Sequence, residues 1–167
     1  GIRIALEVCE DAWVANRPGS QFSGSGIDII LNPSASHFAF GKQEVREHFV
    51  IEGSRAFGVA YVYANLPGNE SGRAIFDGGG LIADHGKITA EGRRFSFEEV
   101  TLAVKSVDIE RNRLHQARTV SRKVDVEGRA EIDLFFDWPR VERRDGHESV
   151  APISKEEEFT RAMALAY

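Results

Sequence analysis

The chain has 167 residues, of which 42% are hydrophobic, enough for one domain with a buried core. A formal net charge of -5 gives no electrostatic support for nucleic-acid binding, and no apolar run approaches the ~20 residues that span a bilayer. A single cysteine cannot form an internal disulfide and is typical of a reducing compartment, so we expect a cytoplasmic protein without nucleic-acid or membrane partners.

The first predicted element is a β-strand that ends at the only cysteine. Apolar side chains occupy every second position: Ile2, Ile4, Leu6 and Val8. This alternation predicts a strand that is buried on at least one face. The pattern stops at Cys9, which Glu10 and Asp11 follow, so a thiol and two carboxylates stand where the chain leaves the sheet. Catalytic side chains gather at such edges of α/β sheets, although a lone cysteine there is also a common small core residue.

A second strand is predicted over 28–32, after a stretch rich in Gly, Pro and Ser over 16–26 that has little helical character. Pro33–Ser36 follow this strand directly. Serine hydroxyls and free backbone amides at a strand end can face a ligand, and an ordinary turn has the same composition. Both interpretations therefore stay open for Ser36.

A helix is predicted over 41–58 from residues that recur at helical spacing. Its predicted buried face consists of Val45, Phe49 and Ala56. Lys42 belongs to the charged face and lies close to the strand edge. For Arg46, one turn further along, we expect a structural ion pair.

The next segments predict a sheet that changes from covered strands to hairpins. The continuous apolar run over 59–64 predicts a strand covered on both sides. An antiparallel meander is then predicted, with turns at Asp77–Gly80 and Asp84–Gly86. Its short strands are predicted at 74–76, 81–83, 87–89, 95–97 and 101–104. The order of elements predicts a layered α/β domain with a mixed sheet.

Helical signals return in the last third of the chain. Asp108 is placed to cap a helix that runs through Leu114. Ser154 and Glu157 form a capping-box pattern at the start of a further helix. We therefore expect one domain over 1–137, a polar linker over 138–153, and over 154–167 the start of a helix that leads to another domain.

Five short motifs occur in an order and at a spacing that resemble one known family. They are Glu7–Trp13, Asn32–Ser36, Gly41–Lys42 with Arg46, Tyr61–Asn65 and Phe76–Gly79. Together they resemble the glutaminase domain of glutamine-dependent NAD synthetases, in the nitrilase (carbon–nitrogen hydrolase) superfamily. The resemblance implies an α-β-β-α sandwich and hydrolysis of L-glutamine through a cysteine thioester. It also implies that the ammonia serves ATP-dependent amidation of deamido-NAD in a following synthetase domain.

The resemblance assigns roles to individual side chains. Cys9 corresponds to the nucleophile, and Glu10, Trp13, Ser36 and Lys42 correspond to substrate-binding positions. Glu10 suits the α-ammonium of glutamine, Lys42 suits its α-carboxylate, and Trp13 suits an aromatic wall. The glutamate base and the oxyanion-stabilising lysine of the family belong to segments before the cysteine strand that these 167 residues do not include. We therefore expect the chain by itself to be inactive in glutamine hydrolysis.

No metal or cofactor is expected in this domain, because the five histidines are scattered without metal-ligand spacing. ATP and Mg²⁺ are expected for the following synthetase domain, and homo-oligomers are expected because nitrilase relatives commonly self-associate.

Other interpretations of these residues stay open. Glu10 could cap a helix or pair with a buried arginine, Lys42 could be helix surface, and Trp13 could be pure core. The chain as a whole could be a non-catalytic assembly module, or part of an amidase of the same superfamily with another substrate.

Overall fold

The computed structural model describes residues 1–118, 132–135, 137 and 151–167. Its strands are β1 (Ile4–Leu6), β2 (Ile29–Ser34), β3 (Ala60–Asn65), β4 (Pro67–Glu70), β5 (Ala74–Asp84) and β6 (Lys87–Arg94). Its α-helices are α1 (Pro18–Phe22), α2 (Lys42–Phe57), α3 (Ile109–Arg118) and α4 (Lys155–Ala166), and 3₁₀ turns span Cys9–Ala12 and Ser23–Ser25. No helix in the described part of the chain is long and apolar enough to cross a membrane. The predicted linker falls largely outside the described residues.

The six strands form one mixed sheet in the order β1-β2-β3-β5-β4, with β6 paired to β5. Strands β1, β2 and β3 are parallel, so their carboxyl ends meet at one edge of the sheet. Strand β5 runs antiparallel to its three partners β3, β4 and β6. Cys9, in the turn that follows β1, and Ser36, after β2, therefore lie at the same edge.

Helices α1 and α2 cover one face of the sheet, over a core of Ala5, Ile30, Val50, Val59, Tyr61, Tyr63, Leu81 and Ala83. Helix α2 has nearly the predicted bounds, but the predicted buried face is wrong. The buried side chains are Arg46, Val50, Gly53 and Ser54. Val45 and Ala56 are exposed and Phe49 is half-buried. Gly53 explains the rotation, because a Cβ there would lie 2.9 Å from the Tyr61 ring, so the helix approaches the sheet along its small residues.

The opposite face of the sheet is open at β1. Ala5 and Glu7 are buried, whereas the alternate side chains are 44% to 56% exposed: Ile2, Ile4, Leu6 and Val8. The prediction that β1 is buried on at least one face is confirmed, but the buried side chains are Ala5 and Glu7, on the side where the helices pack, and not the apolar residues. Strand β3 is likewise not covered on both sides, since Ala64 is exposed and Val62 is half-buried.

Strand β5 continues through Asp77–Gly80, where a turn was predicted. Gly78 and Gly79 adopt left-handed conformations with φ +68° and +87° without leaving the sheet. The strand pairs with β4 up to Asp77 and with β6 from Gly78 onward. The glycines therefore bend the strand where it changes partner, a recurrent use of glycine within strands.

The second predicted turn is confirmed. Residues His85 and Gly86 join β5 to β6 with φ +52° and +73°, the left-handed pair that a tight hairpin requires. The strands predicted at 95–97 and 101–104 are wrong, apart from an isolated bridge at Val104. Ser96 turns the chain there, since its hydroxyl accepts a hydrogen bond from the Glu98 backbone N–H at 3.1 Å.

Helix α3 begins after Asp108, as predicted, and extends to Arg118, one turn beyond the predicted end. The Asp108 carboxylate accepts a hydrogen bond from the Arg111 backbone N–H at 3.1 Å. Arg113 ties the helix to the amino end of β2, because its Nη2 lies 2.8 Å from Oδ2 of the fully buried Asp28. Burial raises the pKa of Asp28, but hydrogen bonds from Arg113 and from the Arg3 backbone, with the charge of Arg113, outweigh burial and lower it.

Helix α4 has the predicted N-cap, in which the Ser154 hydroxyl accepts a hydrogen bond from the Glu157 backbone N–H at 3.2 Å. The helix packs on the sheet through a second cluster, formed by Ala162, Leu165, Phe95, Phe38, Ile75 and Ile153. The Asn69 side chain also donates to the Leu165 carbonyl at 2.6 Å. The assignment of this helix as the start of a further domain stays a prediction.

Candidate active site

Cys9 is the first residue of the 3₁₀ turn after β1, and its side chain is half-buried. Its backbone is left-handed, with φ +49°. This conformation costs a residue with a side chain about 1–2 kcal/mol, because Cβ crowds the following carbonyl oxygen. Asp11 braces the turn, since its carboxylate accepts a hydrogen bond from the Val8 backbone N–H at 2.8 Å. The sequence thus places a strained, partly accessible thiol at the sheet edge, and such strain clusters at functional sites.

Trp13 and Lys42 lie together at this edge. The Trp13 ring is 37% exposed and packs edge-on against Phe49, with ring centroids 5.1 Å apart. Nζ of Lys42 lies 5.4 Å from the centroid of the Trp13 ring and donates to the His37 carbonyl oxygen at 3.0 Å. The pair therefore presents an aromatic surface with a cation beside it.

The charge on Lys42 responds to neighbours on several elements. Burial, and then the charge of Arg46, lower the pKa of Lys42, while Asp77 and Cys9 act in the opposite direction. The thiol of Cys9 and the ammonium of Lys42 are therefore within electrostatic reach of each other. A partly desolvated ammonium interacts more strongly with an incoming anion than a fully hydrated one does.

Ser36 is fixed in a buried loop at the same edge. Its backbone N–H donates to Oδ1 of Asn65 at 2.8 Å, and its carbonyl accepts from Nδ2 of Asn65 at 3.0 Å. Nη2 of Arg46 donates to the same carbonyl at 2.9 Å and to the Ser36 hydroxyl at 3.2 Å. The Ser36 backbone is thus held from two elements, α2 and the end of β3.

Glu10 has an exposed side chain in the turn that Cys9 begins, and its carbonyl accepts a hydrogen bond from the Trp13 backbone N–H at 2.8 Å. Within the described residues, the structure therefore gathers Cys9, Trp13, Lys42 and the Ser36 loop at one edge. Glu10 faces outward beside them.

Arg46 forms the structural ion pair that was predicted, and this prediction is confirmed. Its Nη1 lies 2.8 Å from Oδ2 of Asp77, and both side chains are almost completely buried. The same carboxylate oxygen accepts Nε of Arg94 at 2.9 Å. The sequence analysis gave Asp77 no role of its own, because its segment was assigned to a turn between strands.

Glu7 is the main residue at this edge that the sequence analysis missed. It is fully buried, and its carboxylate accepts hydrogen bonds from Nη2 of Arg17 at 2.8 Å, the Gly19 backbone N–H at 2.6 Å and the Tyr61 hydroxyl at 2.5 Å. Burial, followed by the hydrogen bond to Glu7, raises the pKa of Tyr61. The alternation in the sequence places Glu7 opposite the apolar positions, so it gave no signal that this carboxylate is buried.

The arrangement offers a thiol, a cation and an aromatic surface at one edge of the sheet. In the part of the chain that the structure describes, no three His, Cys, Asp or Glu side chains are grouped to hold a metal ion. The chemistry available here is nucleophilic attack by sulfur on a substrate that carries an anionic group.

No family model matches the chain. It is similar to the glutamine-dependent NAD(+) synthetase of Saccharomyces cerevisiae, with 34% identity over 119 residues, covering 71% of this chain and 17% of that protein. The Bos taurus protein of the same name is 33% identical over 121 residues, covering 72% of this chain and 17% of that protein. The chain therefore spans only about one sixth of the length of these curated relatives.

Solved structures that match the chain also include a glutamine-dependent NAD(+) synthetase. A crystal structure of a glutamine-dependent NAD(+) synthetase from Cytophaga hutchinsonii has 43% identity and a TM-score of 0.50, covering 60% of this chain and 16% of that chain. A carbon–nitrogen hydrolase from Helicobacter pylori G27 has 22% identity and a TM-score of 0.58, covering 70% of this chain and 43% of that chain. At that identity the second match supports the fold alone. The chain is therefore a homologue of the glutamine-dependent NAD(+) synthetases over about 72% of its residues, and its mixed α/β fold is of the nitrilase type.

Proposed function

We propose that this chain carries the nucleophile of a glutamine amidohydrolase, the part of a glutamine-dependent NAD synthetase that releases ammonia. The observation that carries the proposal is the placement of Cys9, half-buried and left-handed at the carboxyl end of β1. The same sheet edge holds Lys42, Trp13 and Ser36. The names of the homologous proteins support L-glutamine as the substrate.

In this proposal the edge binds the amino-acid end of glutamine. Lys42 receives the α-carboxylate, because its ammonium is partly buried and already oriented by the His37 carbonyl. Glu10 receives the α-ammonium, and Trp13 forms the wall along which the side chain of glutamine lies. Ser36 supplies polar contacts from a loop that Arg46 and Asn65 keep rigid.

The chemical step is attack of the Cys9 sulfur on the carboxamide carbon of glutamine. A carbon–sulfur bond forms, the carbon–nitrogen bond breaks, and the nitrogen leaves as ammonia after it takes up a proton. Water then cleaves the thioester to give glutamate and the free thiol. The step needs a base for these protons and a cation for the tetrahedral oxyanion, and the family resemblance assigns both to segments outside these residues.

The wider reaction is also a proposal. Ammonia would serve amidation of deamido-NAD with ATP and Mg²⁺ in a further domain that follows the 1–137 domain, the 138–153 linker and the helix over 154–167. A related synthetase from Acinetobacter baumannii, 26% identical with a TM-score of 0.53 over 60% of this chain and 18% of that chain, was solved in complex with ADP, which supports an adenine-nucleotide substrate. Self-association into a homo-oligomer is proposed as well.

Selective alkylation of Cys9 tests the proposal. The purified protein is treated with a chloroketone derived from L-glutamine and, separately, with iodoacetamide, and adducts are located by peptide mass spectrometry. Because Cys9 is the only cysteine, thiol labelling reports a single site. We expect the chloroketone to label Cys9 faster than iodoacetamide does after correction for the reactivity of each reagent with free cysteine.

Two results would count against this function. Equal corrected rates for the two reagents would contradict the proposal that this sheet edge binds glutamine. They would favour a non-catalytic assembly module instead. Labelling of other side chains in a Cys9→Ser variant, at the rate seen for the native protein, would show that the reagent does not depend on the thiol.

A further inference from the structure

Glu7 begins the loop that carries Cys9, Glu10 and Trp13, and its carboxylate contacts the other end of that loop. Glu7 itself lies two residues before Cys9, next to the end of β1, and is fully buried. Its Oε2 accepts Nη2 of Arg17 at 2.8 Å, and its Oε1 accepts the Gly19 backbone N–H at 2.6 Å. The Glu7 side chain thus closes the intervening loop into a ring of fixed size.

At the far end of the loop, the packing leaves no room for a side chain at Gly19. A Cβ on Gly19 would lie 2.6 Å from Oε1 of Glu7 and equally close to Phe57, so the amide reaches the carboxylate only because Gly19 has no side chain. The Arg17 guanidinium stands 5.2 Å from the centroid of the Phe57 ring and 5.3 Å from that of Tyr61. Arg17 is therefore held by aromatic faces as well as by Glu7.

The ion pair between Glu7 and Arg17, here called the Glu7–Arg17 clasp, also contacts the residues that form the aromatic wall of the proposed site. Nη1 of Arg17 donates to the Phe49 carbonyl oxygen at 3.0 Å, and the Phe49 ring is the surface on which Trp13 packs. Movement of Arg17 would therefore disturb Trp13 through Phe49, while movement of Glu7 would release the turn at Cys9.

We propose that Glu7 is a positioning residue: the buried Glu7–Arg17 clasp holds Cys9 and Trp13 in the geometry that glutamine attack requires. The proposal rests on the proposed function for its catalytic meaning. Glu7 does not serve as the proton acceptor, because both of its oxygens are already engaged by Arg17, Gly19 and Tyr61 and the side chain is closed to solvent.

Glu7→Gln tests the clasp, and Asp28→Asn is its matched control. Asp28 is likewise fully buried, and it too pairs with an arginine and accepts a backbone N–H. It lies at the amino end of β2, the opposite edge from Cys9. Arg17→Lys is the second variant, since it keeps the charge but cannot reach Glu7 and the Phe49 carbonyl together, and it carries the test if Glu7→Gln fails to fold.

The first readout is independent of glutamine chemistry. In a Trp138→Phe background Trp13 is the only tryptophan, so acrylamide quenching of fluorescence reports its exposure. The second readout is the ratio of Cys9 labelling by the glutamine chloroketone to labelling by iodoacetamide. We expect Glu7→Gln and Arg17→Lys to raise the acrylamide quenching of Trp13 and to lower the labelling ratio about tenfold or more. Asp28→Asn should change neither readout, even where it lowers thermal stability by the same amount.

Equal effects of Glu7→Gln and Asp28→Asn on both readouts would overturn the clasp, because a general loss of stability would then account for them. Failure of the proposed function looks different. If the native protein shows no preference for the chloroketone, yet quenching rises in Glu7→Gln and Arg17→Lys alone, the clasp is supported and the glutamine chemistry is contradicted.

Discussion

Arg46 and Asp77 form an ion pair that is almost completely closed to solvent, with Nη1 2.8 Å from Oδ2. The pair joins α2 to the bend of β5, and Asp77 also accepts Arg94, which in turn binds Glu158 of α4 at 2.7 Å. One carboxylate therefore connects the helix that bears Lys42, the Ser36 loop and the last helix. Removing one member of such a group leaves an uncompensated buried charge.

Asp77→Asn should destabilise the protein by about 3–5 kcal/mol, because the buried Arg46 loses its charged partner, while Arg94 keeps only its pair with Glu158. Urea unfolding followed by circular dichroism measures the change. Glu52→Gln is the control, since its pair with Arg55 is more than half exposed and screened by solvent, so its loss should leave the urea midpoint nearly unchanged. Equal losses in the two variants would mean that the buried pair has no special role.

Stability should fall at alkaline pH because Tyr61 is kept neutral. Burial and the hydrogen bond to Glu7 raise its pKa, so above about pH 10 the unfolded chain releases a proton that the folded chain retains. The folded state then loses up to about 1.4 kcal/mol for each further pH unit per tyrosine.

Urea midpoints at pH 9 to 11 test this decline in stability, and Tyr61→Phe should make the decline less steep. The remaining slope includes Tyr63, whose pKa burial also raises, and an opposite contribution from Lys42, whose pKa burial lowers. An unchanged slope in Tyr61→Phe would contradict the prediction.

Ser154→Ala should weaken α4 locally, because the first turn loses the hydroxyl that accepts the Glu157 N–H. The expected cost is about 1 kcal/mol, read as faster amide hydrogen exchange within Lys155–Ala166. Thr160→Ala is the control, since that exposed hydroxyl only bonds back to the Glu156 carbonyl. Exchange that is faster in the control than in Ser154→Ala would disprove the role of the cap.

Lys42→Met should weaken protection of Cys9 by glutamine roughly tenfold or more, because the α-carboxylate loses a charge-assisted hydrogen bond. The concentration of L-glutamine that halves the rate of Cys9 alkylation gives the affinity. Lys87→Met provides the control, since Lys87 is exposed at the start of β6. A shift of the same size in both variants would assign the effect to general charge instead of the site.

The sequence predicted the elements that local chemistry determines. The Asp108 and Ser154 caps and the turn at His85 and Gly86 are confirmed, because capping side chains and left-handed turn residues act over a few positions. Placement of Cys9 at a sheet edge followed in the same way from the end of the apolar alternation.

The errors concern which side of an element meets the rest of the molecule. The face of α2 was predicted from apolar periodicity, whereas Gly53 and the ion-paired Arg46 decide it through close packing on Tyr61 and Asp77. Glu7 was missed because a charged residue in a strand signals solvent unless its partners are known. Those partners, Arg17 and Tyr61, become its neighbours only through folding.

The most direct test of the central claim, that the thiol of Cys9 stands in a glutamine site, is stereospecific protection from alkylation. The rate of Cys9 modification by iodoacetamide is measured while L-glutamine or D-glutamine is raised in parallel samples. We predict saturable slowing by L-glutamine and none by D-glutamine, because in the proposed site Lys42 and Glu10 fix the positions of the two α-substituents. An identical rate at every concentration of both enantiomers would contradict it.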